Sequence, residues 1–181
     1  VRIISGEHKG RRLAGGKKTR VRPTSDKVKE SIFNILREKV MGKRILDLFA
    51  GVGSLGIEAL SRGAEWVTFV DTSLPSINIL KKNLENLNLK SKSTILRMDG
   101  LRALDKLKQN FQMIFADPPY LKGFVQGIID SVAQSEVLEK NGILILEHHK
   151  KETFSFPEEK LVALKQKKFG DTVISFFLKS G

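Results

Sequence analysis

From Arg44 onward the chain alternates strand-like and helix-like runs, and few folds accept that pattern. Apolar strand-like runs occupy 44–49, 66–71, 94–98, 113–117 and 142–147. Helical patterns fall between them at 54–62, 74–87, 101–107 and 124–132, the second with apolar side chains at 77, 80, 84 and 87. Parallel strands need long crossovers, and helices supply them, so this alternation predicts a parallel sheet with helices on both faces. The pattern breaks near the end. Runs at 161–167 and 172–178 flank Gly170-Asp171, which predicts an antiparallel hairpin at one sheet edge.

The front of the chain differs in charge. Residues 1–22 hold Arg2, Lys9, Arg11, Arg12, Lys17, Lys18, Arg20 and Arg22 against one acid, Glu7, and so carry +7 of the formal +12. A cluster of this kind attracts a polyanion and releases its counterions. It lacks the apolar stripe of an interfacial helix, which favours nucleic acid over a membrane surface. Four glycines (6, 10, 15 and 16) interrupt any helix, so 1–22 reads as a basic arm with a short strand at 1–4. After Pro23, Thr24 or Ser25 can cap a helix with Val28, Ile32, Ile35 and Leu36 on one face, closed near Gly42. At 181 residues, 40% hydrophobic, the chain suits one domain: arm 1–22, capping helix 23–42 and an α/β core 43–181. No apolar run approaches the ~20 residues of a membrane span. The lack of cysteine removes thiolate metal sites and fits a cytoplasmic protein. The first residue is Val1 and not Met, consistent with a processed or trimmed start.

The first strand leads into Asp47-Leu-Phe-Ala-Gly51-Val-Gly53-Ser-Leu-Gly56. Gly51, Gly53 and Gly56 satisfy G-x-G-x-x-G between a strand and a helix, the context that motif requires. Asp71 ends the second strand 20 residues after Gly51, where a carboxylate can accept both ribose hydroxyls of an adenosine. A dinucleotide enzyme would show the same residues. Two acids separate the readings. Asp47 at the first strand end would repel a pyrophosphate and attract a sulfonium and an ammonium. Asp99, after the third strand, can accept an adenine amino group, although an Asp before Gly100 is also an ordinary helix cap.

Asp117-Pro118-Pro119-Tyr120 ends the fourth strand, at the sheet edge that faces the ligand crevice. An exocyclic amine on a base is a poor nucleophile because its lone pair is delocalised. Two acceptors gripping its N–H bonds would aim that lone pair at an electrophilic methyl. Asp117 supplies one acceptor and the Pro118 carbonyl the second, stiffened by two fixed φ angles. Tyr120 would stack on the base.

These residues resemble the class I methyltransferases that act on amino groups, marked by an (Asp/Asn)-Pro-Pro-aromatic tetrapeptide. Val1-Arg-Ile-Ile-Ser-Gly, Lys9-Gly-Arg-Arg-Leu and Arg22-Pro-Thr-Ser-Asp-Lys-Val-Lys-Glu-Ser-Ile-Phe-Asn-Ile-Leu narrow the likeness to the RsmD family, bacterial 16S rRNA guanine-N2 methyltransferases. The resemblance covers essentially the whole chain. It implies a Rossmann-like, seven-stranded, mostly parallel sheet whose last strand is reversed. It further implies S-adenosylmethionine as cofactor, S-adenosylhomocysteine as product, no metal, and 16S rRNA in the small ribosomal subunit as partner; a monomer is expected. The cofactor set would then be Asp47, Ala50, Gly51, Gly53, Asp71, Asp99, Gly100 and Thr24, with 22–34 in a lid and Phe33 near the ligand. Asp117, Pro118 and Tyr120 would hold the base, and Arg11, Arg12, Lys17, Lys18, Arg20 and Arg22 the RNA backbone. Asp71 stands where relatives often carry Glu.

Other classes share parts of this constellation. A DNA adenine-N6 or cytosine-N4 methyltransferase uses the same tetrapeptide, but the chain leaves little room for a sequence-reading module. A protein-glutamine methyltransferase has less need of a basic arm. A non-catalytic RNA-binding assembly factor would keep its role without Asp117, and a dehydrogenase would not bind S-adenosylmethionine. Glu147-His148-His149 reads as solvated, because adjacent strand side chains diverge and cannot share a metal. His8 has no role beyond RNA contact. Trp66 reads as core, and 150–168 as ordinary charged surface.

Overall fold

A computed structural model describes residues 1–15 and 25–181. The expected alternation is present. In chain order the core runs α1 (Asp26–Leu36), β1 (Arg44–Leu48), α2 (Ser54–Ser61), β2 (Trp66–Asp71), α3 (Leu74–Asn86), β3 (Ser93–Arg97) and α4 (Gly100–Lys106). It continues with β4 (Phe111–Ala116), α5 (Phe124–Gln134), β5 (Leu138–His149), β6 (Leu161–Phe169) and β7 (Thr172–Lys179). Among the described residues the strands form one sheet in the order β3-β2-β1-β4-β5-β7-β6. The first five lie parallel, and β7 runs antiparallel between β5 and β6.

The order follows from what each strand must bury. Nearly every side chain of β1, β2 and β4 is buried, as expected for central parallel strands with helices on both faces. Two apolar clusters result. One joins Ile45, Val67, Phe69 and Phe115 to α1, α2 and α3; the other joins Leu46, Ile114 and Leu144 to α4 and α5. β6, at the edge, buries only Leu161 and exposes the next seven side chains. Among the described residues no helix is long and apolar enough to cross a membrane.

Four local outcomes differ from the sequence expectation. The first α-helix stops at Leu36 and passes into a 3-10 turn over Arg37–Val40, with Arg37 at φ +50°, rather than running on to Gly42. Ser25 caps it by accepting Val28 N–H; Thr24 lies outside the described residues. β4 and β5 begin earlier than their apolar cores, because a register shift between Phe111 and Met113 lets Leu138 pair ahead of Gly142.

The fourth difference is the largest. Residues 1–15, read as a basic arm with a short strand at 1–4, form a hairpin with Arg2 opposite Arg12 that packs on α2. Ile3 and Leu13 are buried in the first cluster. The fully buried Glu58 carboxylate accepts Ile4 and Ser5 N–H at 2.8 and 3.0 Å and pairs with Arg62 at 2.8 Å and buried Lys29 at 3.5 Å. Lys29 also donates to the Arg2 carbonyl, and burial lowers its pKa. Charge in this segment is exposed while two buried apolar side chains, Ile3 and Leu13, anchor it, which composition alone cannot reveal.

Candidate active site

The C-terminal ends of β1, β2, β3 and β4 meet along one sheet edge and carry the glycine loop, Asp71, Asp99 and the tetrapeptide. Gly51 and Gly53 have φ of +55° and +87°, which L side chains rarely adopt. A Cβ on Gly51 would meet open space, so the loop leaves its backbone accessible there. Gly56 serves packing instead: a Cβ there would stand 2.3 Å from the Phe69 ring, so only glycine lets α2 sit this close to β2.

Asp47 has a structural partner that the sequence did not disclose. It is 2% exposed, and its Oδ2 accepts Gly56 N–H at 2.9 Å. The reason lies in the helix cap. Gly53 caps α2 without a side chain, so a first-turn N–H finds its acceptor on β1. Burial raises the Asp47 pKa to about 7, against the opposing pull of that hydrogen bond. The buried Ser54 hydroxyl, in the first turn of α2, has no hydrogen-bond partner among the described residues.

Asp71 lies at the end of β2 as expected, and both its oxygens are engaged: Oδ2 accepts Gly51 N–H and Oδ1 accepts Ser73 N–H, each at 2.7 Å. Each carboxylate oxygen keeps a second lone pair for a ligand hydroxyl. Asp99 caps α4, accepting Arg102 N–H at 3.0 Å. Its neighbour Gly100 is buried where a Cβ would meet the Phe49 ring at 2.7 Å. Phe49, at φ +58°, sets its ring edge-on to Phe124 at 5.3 Å and floors this end of the crevice. Ala50 donates to the Val70 carbonyl and accepts from Gly53, which ties the loop to β2.

Asp117 joins the tetrapeptide to the loop side, its N–H meeting the Leu48 carbonyl at 3.4 Å. Asp117 and Tyr120 are half-buried, Pro118 is buried and Pro119 exposed. Tyr120 is fixed by its hydroxyl, which donates to Glu147 Oε1 at 2.5 Å and meets Thr172 Oγ1 at 2.8 Å. Burial and the Glu147 carboxylate push its pKa up. Glu152 continues the brace, accepting Leu121 N–H at 3.0 Å and His149 N–H at 2.8 Å.

Sequence reasoning read Glu147 and Glu152 as solvated surface and gave Thr172 no role beyond starting a strand. Glu147 and His148 are buried, contrary to a solvated reading of that tripeptide; His148 Nε2 lies 2.9 Å from Ser175 Oγ, and burial lowers its pKa. Only the position of Glu147 at the end of a strand on the crevice edge gave a signal. Phe33, expected near the ligand, is fully buried in the core, 5.7 Å from Phe115 and under the Arg62 guanidinium. Trp66 is half-buried, its indole N–H on Thr94. Arg11 and Arg12 are exposed, and Arg11 donates to the Asn86 carbonyl at the end of α3, the end remote from the crevice. Lys17, Lys18, Arg20 and Arg22 lie outside the described residues. No cluster of potential metal ligands occurs among the described residues.

A glycine loop, a second-strand acid and a braced Asp-Pro-Pro-Tyr on a seven-stranded sheet with a reversed seventh strand define a class I, Rossmann-like methyltransferase. The family model described as "Conserved hypothetical protein 95" matches residues 1–178. The chain belongs to this family, the RsmD family of S-adenosylmethionine-dependent ribosomal RNA methyltransferases. It is 40% identical to YlbH of Bacillus subtilis, named provisionally as an rRNA methyltransferase, over 100% of both chains. It is 37% identical to ribosomal RNA small subunit methyltransferase D of Haemophilus influenzae, covering 98% of this chain and 92% of that one. Among solved structures, Escherichia coli yhhF, provisionally a methyltransferase, superimposes with a TM-score of 0.89 at 25% identity, covering 100% and 98% of the two chains.

Proposed function

We propose that this chain methylates the exocyclic N2 amine of a guanine in 16S rRNA of the small ribosomal subunit, acting as a cytoplasmic monomer. The observation that carries the reading is the braced tetrapeptide, with Asp117 beside the glycine loop and Tyr120 pinned to two other strands. A free Pro-Pro turn has no need of a buried carboxylate to fix its aromatic residue.

The residues fit an adenosyl cofactor. The Gly51 backbone stands open to the crevice, Asp71 keeps lone pairs for ribose, and Phe49 floors the end beside Gly100. Asp47, buried beneath the loop, offers negative charge to a cationic amino-acid moiety, and its pKa near 7 makes that charge sensitive to what binds above it. S-adenosylmethionine supplies an electrophilic methyl on sulfur. Asp117 accepts one N–H of the target amine, the Pro118 carbonyl is positioned by its rings to accept the other, and Tyr120 offers its ring to the base. Pre-organisation of this kind contributes several kcal/mol, on the order of effects measured for well-oriented reactants. The small subunit rather than other RNA is supported by relatives named for small-subunit rRNA methylation; guanine N2 rather than another exocyclic amine rests on the family resemblance alone, since Asp117 would accept from either.

The test is transfer of labelled methyl from S-adenosylmethionine to small subunits lacking the modification, followed by nucleoside analysis. Label in N2-methylguanosine with the wild type and none with Asp117→Ala supports the reading. Label in another nucleoside, in DNA or in protein, or none at all, overturns it.

A further inference from the structure

Of the basic residues of 1–15, Arg11 is tied to the end of α3 remote from the crevice, and a second basic surface lies on the outer edge of the sheet. The edge strand β6 carries Lys165, Lys167 and Lys168, all exposed. Its register matters. Lys167 pairs with Ile174, and Ile174 pairs with Glu147, so Lys167 shares a cross-strand row and a sheet face with the carboxylate that pins Tyr120. Two strand spacings separate them, about 9.5 Å. Lys165 lies one row further back on the same face, opposite Phe176. Lys168, opposite Val173, projects from the other face of the same edge.

β6 runs parallel to β5, so its basic end is the crevice end. Around that end lie exposed Lys122, Lys150 and Lys151. The acids there are committed: Asp171 pairs with Lys150 at 2.8 Å, and Glu152 holds two backbone amides. Glu158 and Glu159 precede β6, at its far end. Lysines on an edge strand also discourage strand addition. That role requires no particular row, whereas Lys165 and Lys167 share the face of the carboxylate that pins Tyr120, and all three lie toward the crevice end of the strand.

We infer that the β6 edge, through Lys165, Lys167 and Lys168, is a docking surface for the RNA phosphate backbone flanking the base held at Asp117–Tyr120. The inference rests on the proposed RNA substrate, but it is tested by binding rather than by methyl transfer. A fluorescent RNA hairpin is titrated at several KCl concentrations with wild type, with K165Q/K167Q/K168Q, with the charge-preserving K165R/K167R/K168R, and with K81Q/K82Q/K92Q as a remote control of equal charge change.

The glutamine variant on β6 is expected to bind at least about tenfold more weakly, and its salt slope to fall by about two to three, given roughly 0.7–0.9 per phosphate contact. The arginine variant and the remote control should match the wild type. Equal weakening in the remote control, an unchanged slope in the β6 variant, preference for anionic lipid vesicles over RNA, or no RNA binding by the wild type each overturns the inference. A protein that binds RNA through β6 yet methylates none would leave the inference standing and sink the proposed reaction.

Discussion

The two halves of the crevice are built by opposite means. On the glycine-loop side, Asp71 reaches Gly51 and Ser73, Asp47 reaches Gly56, and Asp99 reaches Arg102, so each acid grips backbone within 20 residues of itself. On the tetrapeptide side, Tyr120 is held by Glu147 and Thr172, 27 and 52 residues away. The first half is a local motif, closed by hydrogen bonds to main chain. The second is a tertiary assembly that exists only when β4, β5 and β7 are side by side. Main-chain partners tolerate changes in neighbouring side chains, whereas side-chain partners do not.

The comparison breaks first at Asp117. Asp117→Ala should cut methyl transfer by at least about 10²–10³-fold, the usual cost of deleting one preorganised hydrogen-bond partner of a transition state, while cofactor affinity by calorimetry stays within about threefold. Equal losses in both would mean that the halves are not separable. Gly56→Ala tests the loop side through packing: overpacking against Phe69 should destabilise the fold by about 1–3 kcal/mol in denaturant unfolding.

Asp47 sharpens the contrast through pH. Its folded pKa of about 7 exceeds the ordinary carboxylate value of 3.8, so the folded state binds the proton more tightly than the unfolded chain. The Asp47 contribution is therefore most favourable below pH 4 and is lost as pH rises to 7. Asp47→Asn should flatten that part of the stability profile, measured as unfolding midpoint against pH. A cationic ligand should bind more tightly to the wild type as pH rises from 6 to 8, and Asp47→Asn should remove that trend.

The smallest expected effects are at Tyr120 and its partner Glu147. Tyr120→Phe keeps the ring but loses both hydroxyl bonds, and should lower kcat by about tenfold or less with cofactor binding unchanged, matching the ~1 kcal/mol of a typical hydrogen bond. Glu147→Gln, which keeps an acceptor, should fall between Tyr120→Phe and wild type.

The same contrast explains what could be read in the chain. Strand–helix alternation, the glycine triplet, Asp71 and Asp117–Tyr120 are contiguous patterns, and their elements lie where periodicity put them. Asp47 was legible as a site acid but not as a remote cap, because nothing local says that Gly53 leaves an amide of α2 needing an acceptor. Glu147, Glu152 and Thr172 were illegible as braces, because their meaning depends on the register of β5 against β7. The hairpin at 1–15 was read by its charge, and its fold is set by Ile3, Leu13 and the distant Glu58.

The place of β7 between β5 and β6 also sets a timetable for biosynthesis. β7 is made after both strands it joins, so the outer edge of β5 stays unpaired until β7 arrives. Thr172 begins β7, and until then the Tyr120 hydroxyl lacks that partner. During translation the loop side can mature early, while the tetrapeptide side is completed in the last act of folding. A nascent chain would thus order its glycine loop before Tyr120 is locked, and its longest exposure to aggregation falls at the β5 edge.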